Sequence, residues 1–157
     1  MFAVPENTVV STARRALPQP TRIVREVVAD RERWDPLLRY DPYERWTALI
    51  ERTSCYEVWL MTWLPGQHTD LHDHGGAEGA FTVVSGALTE FVAGTGHTGR
   101  TTHAVRAGQS RVFGPRHVHQ VGNQGLDPAV SVHVFGPERR RMTVYPLDPT
   151  GITLPVD

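Results

Sequence analysis

From about Trp46 onward, glycine and proline cut the chain into short runs of β-branched and aromatic residues, and such punctuation restricts it to an architecture of many short strands. The runs cover residues 46–51, 56–64, 80–84, 88–92, 101–105, 110–113, 118–121, 129–135 and 142–145. Breakers at Pro65-Gly66, Gly75-Gly76, Gly94, Gly96, Gly108, Gly114-Pro115 and Asp127-Pro128 fall between them. Upstream, Ile23, Val24, Val27 and Val28 repeat at helical spacing behind Thr21 as a cap, which predicts a short amphipathic helix over 21–30. A second helical piece is expected around Trp34, Leu37 and Leu38. A chain of 157 residues suits one domain with a real core. Residues 1–45 are expected to be mostly helical, 46–146 to form a sandwich or barrel, and 147–157 to be a tail.

Sixteen basic and 17 acidic residues give a formal charge of −1, so no summed field gathers nucleic acid or an acidic membrane surface. The one dense basic run, Glu138 followed by Arg139, Arg140 and Arg141, reads as a solvated turn. Cys55 is the single cysteine and cannot form an intrachain disulfide, which fits a reducing compartment. Pro5, Arg14, Arg15 and Pro18 interrupt the N-terminal stretch, and about 18 consecutive apolar residues occur nowhere. The expectation is a cytoplasmic monomer with no membrane segment and no nucleic-acid partner.

Two histidines lie in the pattern Gly66-x5-His72-x-His74-x4-Gly79-x6-Gly86, and a third in Gly108-x10-His119-x3-Asn123. In an extended segment residues two apart project to the same side, so His72 and His74 can converge with His119 from a distant strand on a divalent metal. Three imidazoles by themselves suit zinc with a bound hydroxide as well as iron. His68, His97 and His103 read as loop or surface residues, and His117, which would share a strand face with His119, is a reserve ligand.

The two histidine segments resemble the two cupin motifs. The fuller string from Trp63-Leu64-Pro65-Gly66 through His72-Asp73-His74-Gly75-Gly76, Gly79-Ala80-Phe81 and Gly86 is similar to the cysteine dioxygenase family, as are His119-Gln120-Val121 and the run from Pro128 to Phe135. The likeness spans roughly 43–145. It implies a mainly β fold, a single cupin barrel of jelly-roll type with short N-terminal helices, and mononuclear non-haem iron(II). Counting back from Gly86, the common cupin motif places a glutamate ligand where Gly79 stands. Glu78 lies one residue earlier and alternation turns it to the opposite face, which favours three histidines without a carboxylate.

The resemblance further implies a Ser-His-Tyr hydrogen-bonded line beside the iron. Ser131 and His133 match it, whereas Phe135 stands in the tyrosine's place, and a phenyl ring donates no proton. Either activity runs without the phenol, or a different substrate is used, or another group such as Tyr145 or Tyr56 supplies the hydroxyl. Some animal relatives crosslink a cysteine to the tyrosine; those positions are Gly79 and Phe135 here, and no crosslink can form. Arg45, in Tyr43-Glu44-Arg45, matches the family's carboxylate-binding arginine, although related mercaptopropionate dioxygenases use a glutamine. Trp63, Phe81 and Phe135 are expected walls of the substrate pocket.

The expected function is an iron(II)-dependent thiol dioxygenase that takes a small thiol and O2, converting L-cysteine to cysteine sulfinic acid. His72, His74 and His119 would bind the metal, Ser131 and His133 would act beside it, and Arg45 would hold a carboxylate. The alternatives are a dioxygenase for 3-mercaptopropionate or another small thiol, a zinc- or manganese-dependent isomerase or hydrolase, and a metal-loaded cupin that senses a small ligand without catalysis.

Overall fold

The computed structural model describes residues 19–93, 100–136, 141–145, 147–148 and 151–152. Gly94, Gly96, His97 and most of the Glu138 to Arg141 run lie outside them.

The chain opens with helix α1 (Pro20–Ala29) and two single 3-10 turns, η1 (Arg31–Arg33) and η2 (Asp35–Leu37). The helix is where the apolar spacing puts it, but Thr21 is inside it and not its cap. Gln19 caps it at φ 46° without a side-chain hydrogen bond, and Pro20 takes the first turn, where a missing N–H costs nothing. The second expected helix is reduced to the two turns, since Pro36 follows Asp35 within a few residues of Trp34.

Short strands and the turns between them make up the rest of the described chain. The strands are β1 (Trp46–Arg52), β2 (Glu57–Trp63), β3 (Leu71–His72), β4 (Gly79–Ser85), β5 (Ala87–Val92), β6 (Thr101–Arg106), β7 (Ser110–Phe113), β8 (His119–Gly122), β9 (Ala129–Phe135), β10 (Val144–Tyr145), β11 (Leu147–Asp148) and β12 (Gly151–Ile152). They build two five-stranded antiparallel sheets, ordered β1-β2-β9-β4-β7 and β10-β3-β8-β5-β6, and β11 pairs with β12 separately. The fold is therefore mainly β with few helices. Among the described residues no helix is long and apolar enough to cross a membrane.

Strand alternation sorts the core into two layers. Val58 and Leu60 of β2, Ala80 of β4 and Val130, Val132 and Val134 of β9 face Val24 and Val27 of the helix and Trp34. The intervening residues Met61, Trp63, Phe81, Val83, Ala129 and Phe135 turn the other way, to meet Leu88, Val105 and Val121 of the second sheet. All seven residues of β9 are buried because the helix covers one face and the second sheet the other. That explains why its sequence reads as a nearly continuous apolar run. The polar exceptions, Ser131 and His133, point into the space between the sheets, so they require partners there.

Candidate metal centre

His72 is brought to His119 by strand pairing. The two residues are direct cross-strand partners of β3 and β8, so their side chains rise from the same face of the second sheet. His74 follows two residues later in a loop that turns back at Gly75 and Gly76, both at positive φ, with the Gly75 N–H donating to Asp73 Oδ1 at 3.0 Å. The three ring centroids are 4.8–4.9 Å apart, and one nitrogen from each ring lies within 4.8 Å of the other two. All three rings are buried.

The nitrogens are oriented for a metal. His72 Nδ1 lies 2.7 Å from the Asp70 carbonyl oxygen, which can only accept, so this nitrogen donates and the lone pair is on Nε2. His119 Nδ1 lies 2.7 Å from Glu90 Oε2, with the same consequence. Burial pushes the His119 imidazole below its usual pKa against the pull of Glu90, so a neutral donor ring is favoured. His74 packs against both Phe113 at 4.4 Å and Phe135 at 5.3 Å, each near-parallel to it. Three convergent imidazoles fit a divalent transition metal.

No carboxylate joins them among the described residues. A Cβ at Gly79 would come within 2.4 Å of the Val134 carbonyl oxygen and 2.5 Å of the Phe113 ring, so Phe113 occupies the space a glutamate from this position would need. Glu78 is not part of the three-histidine group. Gly79 and Phe135, the positions that the resemblance matches to the crosslinked pair of some animal relatives, face each other across β4 and β9 and carry residues that cannot join.

The triad opens into a cavity of about 100 Å³ whose walls include Arg45, Met61, Trp63, His133, Phe135, Met142 and Val144. Arg45 reaches it from just before β1, its guanidinium 5.2 Å over the Trp63 ring and one nitrogen 3.3 Å from Met61 Sδ. Trp63 Nε1 donates to Ser131 Oγ at 2.9 Å, and Ser131 Oγ is hydrogen-bonded to His133 Nε2 at 2.7 Å. Phe81 lies behind this wall, stacked on His133 at 5.0 Å. Neither substitute tyrosine lines the cavity. Tyr145 donates its hydroxyl to Asp73 Oδ2 at 2.7 Å, and Tyr56 packs beside the helix-covered core. Cys55 sits half-buried in the turn between β1 and β2.

Sequence reasoning missed Glu90. It is fully buried on β5 and bonded to Arg111 Nε at 2.6 Å, His119 Nδ1 at 2.7 Å and His117 Nε2 at 3.2 Å. Burial works to raise its pKa, but the hydrogen bonds from His117, His119 and Arg111 outweigh burial and hold the carboxyl far below the usual range. The available signal was that Glu90 shares a strand face with Leu88, a buried position. His117 thus belongs to a layer behind His119. Glu90, His117 and His119 are close enough to chelate, but the Arg111 guanidinium already neutralises this carboxylate and would repel a second cation. Asn123 is structural: its amide donates to the carbonyl oxygens of Trp63 and Asp127.

Solved structures with the same fold include a protein with a double-stranded β-helix domain from Klebsiella pneumoniae subsp. pneumoniae. It is 23% identical, with 70% of this chain and 91% of that chain covered and a TM-score of 0.61. TT1209 from Thermus thermophilus is 22% identical, with 66% and 92% covered and a TM-score of 0.58. An oxalate oxidase in complex with the substrate analogue glycolate is 19% identical, with 66% and 56% covered and a TM-score of 0.57. These likenesses establish a cupin-type fold of two facing antiparallel sheets. The model of the family described as cysteine dioxygenase type I matches residues 19–146, and with most of its length matched the chain belongs to that family.

Proposed function

We propose that this protein is an iron(II)-dependent thiol dioxygenase that adds both atoms of O2 to the sulfur of a small carboxylated thiol, RSH + O2 → RSO2H, with L-cysteine the leading substrate. The observation that carries the reading is the placing of Arg45 in the same small cavity as the His72, His74 and His119 rings. When bound there, iron(II) would supply adjacent open positions and the redox capacity for joining sulfur to dioxygen.

The chain's own residues have separable roles in this scheme. Arg45 pairs its planar fork with a carboxylate, and its seat over Trp63 fixes the distance between that carboxylate and the histidines. Met61, Trp63, Phe135, Met142 and Val144 wall the cavity and limit the water that reaches it. Among the described residues His133, held by Ser131, presents the one imidazole in the cavity wall outside the triad, and it is the group positioned to hold a proton near the substrate. Phe135 adds no hydroxyl, and in this scheme His133 takes the proton-holding role.

The test is oxygen consumption by iron-loaded protein on addition of L-cysteine, 3-mercaptopropionate or cysteamine. Uptake with a carboxylated thiol and sulfinate as product supports the reading. Iron retained without uptake for any thiol overturns it and favours a ligand-sensing cupin, the reading that Phe135 in the tyrosine position recommends.

A further inference from the structure

Glu90 divides its two oxygens between two tasks. Oε1 accepts from Arg111 Nε at 2.6 Å, while Oε2 accepts from His119 Nδ1 at 2.7 Å and lies 3.2 Å from His117 Nε2. A carboxylate with no solvent exposure and with donors on both oxygens is locked in rotation, so the ring it holds is locked too. His117 packs edge-on against His119 at 4.8 Å and stacks on Phe113 at 5.3 Å, and Phe113 is the ring that fills the space beside Gly79 and stacks on His74. The negative charge absent from the ligand set therefore stands one layer back, behind His119.

From this arrangement we infer that Glu90 is the positioning residue of the metal centre. It forces His119 into the tautomer with hydrogen on Nδ1 and the donor lone pair on Nε2, and Arg111 keeps Glu90 in the rotamer that does so. The inference rests on the reading that His72, His74 and His119 bind a divalent metal. A carboxylate behind a ligand histidine orients the ring and makes it a stronger donor, and losing such a partner costs about 10–100-fold in metal affinity. Arg111 decides the outcome of a substitution here, because an amide in place of the carboxylate has only one acceptor oxygen. In Glu90→Gln that oxygen is claimed by Arg111, the amide NH2 then faces His119, and His119 is driven to the tautomer with hydrogen on Nε2, which cannot bind metal. Removing Arg111 as well lets the glutamine rotate and offer its oxygen to His119.

The experiment uses Co(II) alone as the probe, followed by its visible absorption in competition with a chelator. Wild type is expected to bind, Glu90→Gln to bind about 10–100-fold more weakly, and Glu90→Gln/Arg111→Met to recover most of the loss. A purely structural role for Glu90 predicts no rescue, because the double variant removes one more buried interaction. Equal affinity of wild type and Glu90→Gln, or a double variant no better than the single one, overturns the inference. Failure of wild type to bind Co(II) overturns the metal reading, and the inference with it. Independently of any variant, the 15N shifts of the metal-free wild-type His119 ring are expected to report hydrogen on Nδ1, and hydrogen on Nε2 would overturn the proposal.

Discussion

At Gly79 the close approach is to backbone as well as to a ring. The Val134 carbonyl belongs to β9, which is paired on both sides, so it cannot move aside without disturbing β2 and β4 together. Gly79→Ala is expected to lower unfolding free energy by about 1–3 kcal/mol, the usual range for forcing one extra methyl into a packed interior. Denaturant titration checks this, and an unchanged midpoint would mean that β4 and β9 separate there at no cost. The role proposed for Arg45 is of the opposite kind, in which binding and not folding is at stake. Arg45→Ala should raise KM for a carboxylated thiol at least about tenfold, the size of one lost charged hydrogen bond, while leaving KM for cysteamine, which has no carboxylate, nearly unchanged. Equal effects on both substrates would remove Arg45 as the carboxylate partner. Phe135→Tyr places a hydroxyl at a position that already lines the cavity and is expected to raise turnover; unchanged or lower turnover would show that the missing phenol is not what limits the site. The three histidines were legible in the sequence because a two-residue spacing and a distant third histidine carry the chemistry on their face. Glu90 was not, since its partners lie 21, 27 and 29 residues away and only the fold brings them to it.

The strands were mostly legible where burial is two-sided or alternation is clean: Ser110–Phe113 and Ala129–Phe135 have the expected bounds. Leu71–His72 was not, because a two-residue strand has no periodicity to read; it exists through its pairing with β8 and β10. The expected strand over 142–145 shrinks to Val144–Tyr145 for a related reason. It is held by its pairing with β3 and by Asp73, whose Oδ1 accepts from the Thr143 N–H at 2.8 Å and whose Oδ2 accepts from Tyr145. This short strap places Met142 and Val144 in the cavity wall, although both are about half exposed. Tyr145→Phe removes one charge-assisted bond, worth about 1–2 kcal/mol locally. Amide hydrogen exchange at Asp73 and Thr143 should then quicken by about tenfold while Co(II) affinity stays the same. Unchanged exchange would mean that the strand pairing alone holds the strap.

Across the whole molecule the two sheets contribute unequally to the centre. The second sheet and the loop following β3 supply the three histidines, whereas the first supplies Met61, Trp63, His133 and Phe135 on the facing wall. A metal would therefore tie the loop after β3 to β8, joining His74 to His119, 45 residues apart in the sequence and beyond the paired position His72 with His119. A ligand that binds only the folded state adds about 2.7 kcal/mol at a free concentration 100 times its Kd. For a domain of this length, each kcal/mol is worth about 2–4 °C in Tm, so metal is expected to raise Tm by roughly 5–10 °C and a chelator to reverse the shift. His119→Ala should lower the metal-free Tm through the lost packing and unpaired Glu90 contact, and it should also abolish the metal-dependent rise. The second effect is the diagnostic one, since a cavity alone would lower both curves equally. A full metal-dependent rise in His119→Ala would take His119 out of the ligand set, and the thiol chemistry proposed for the cavity would then lack a centre to act on.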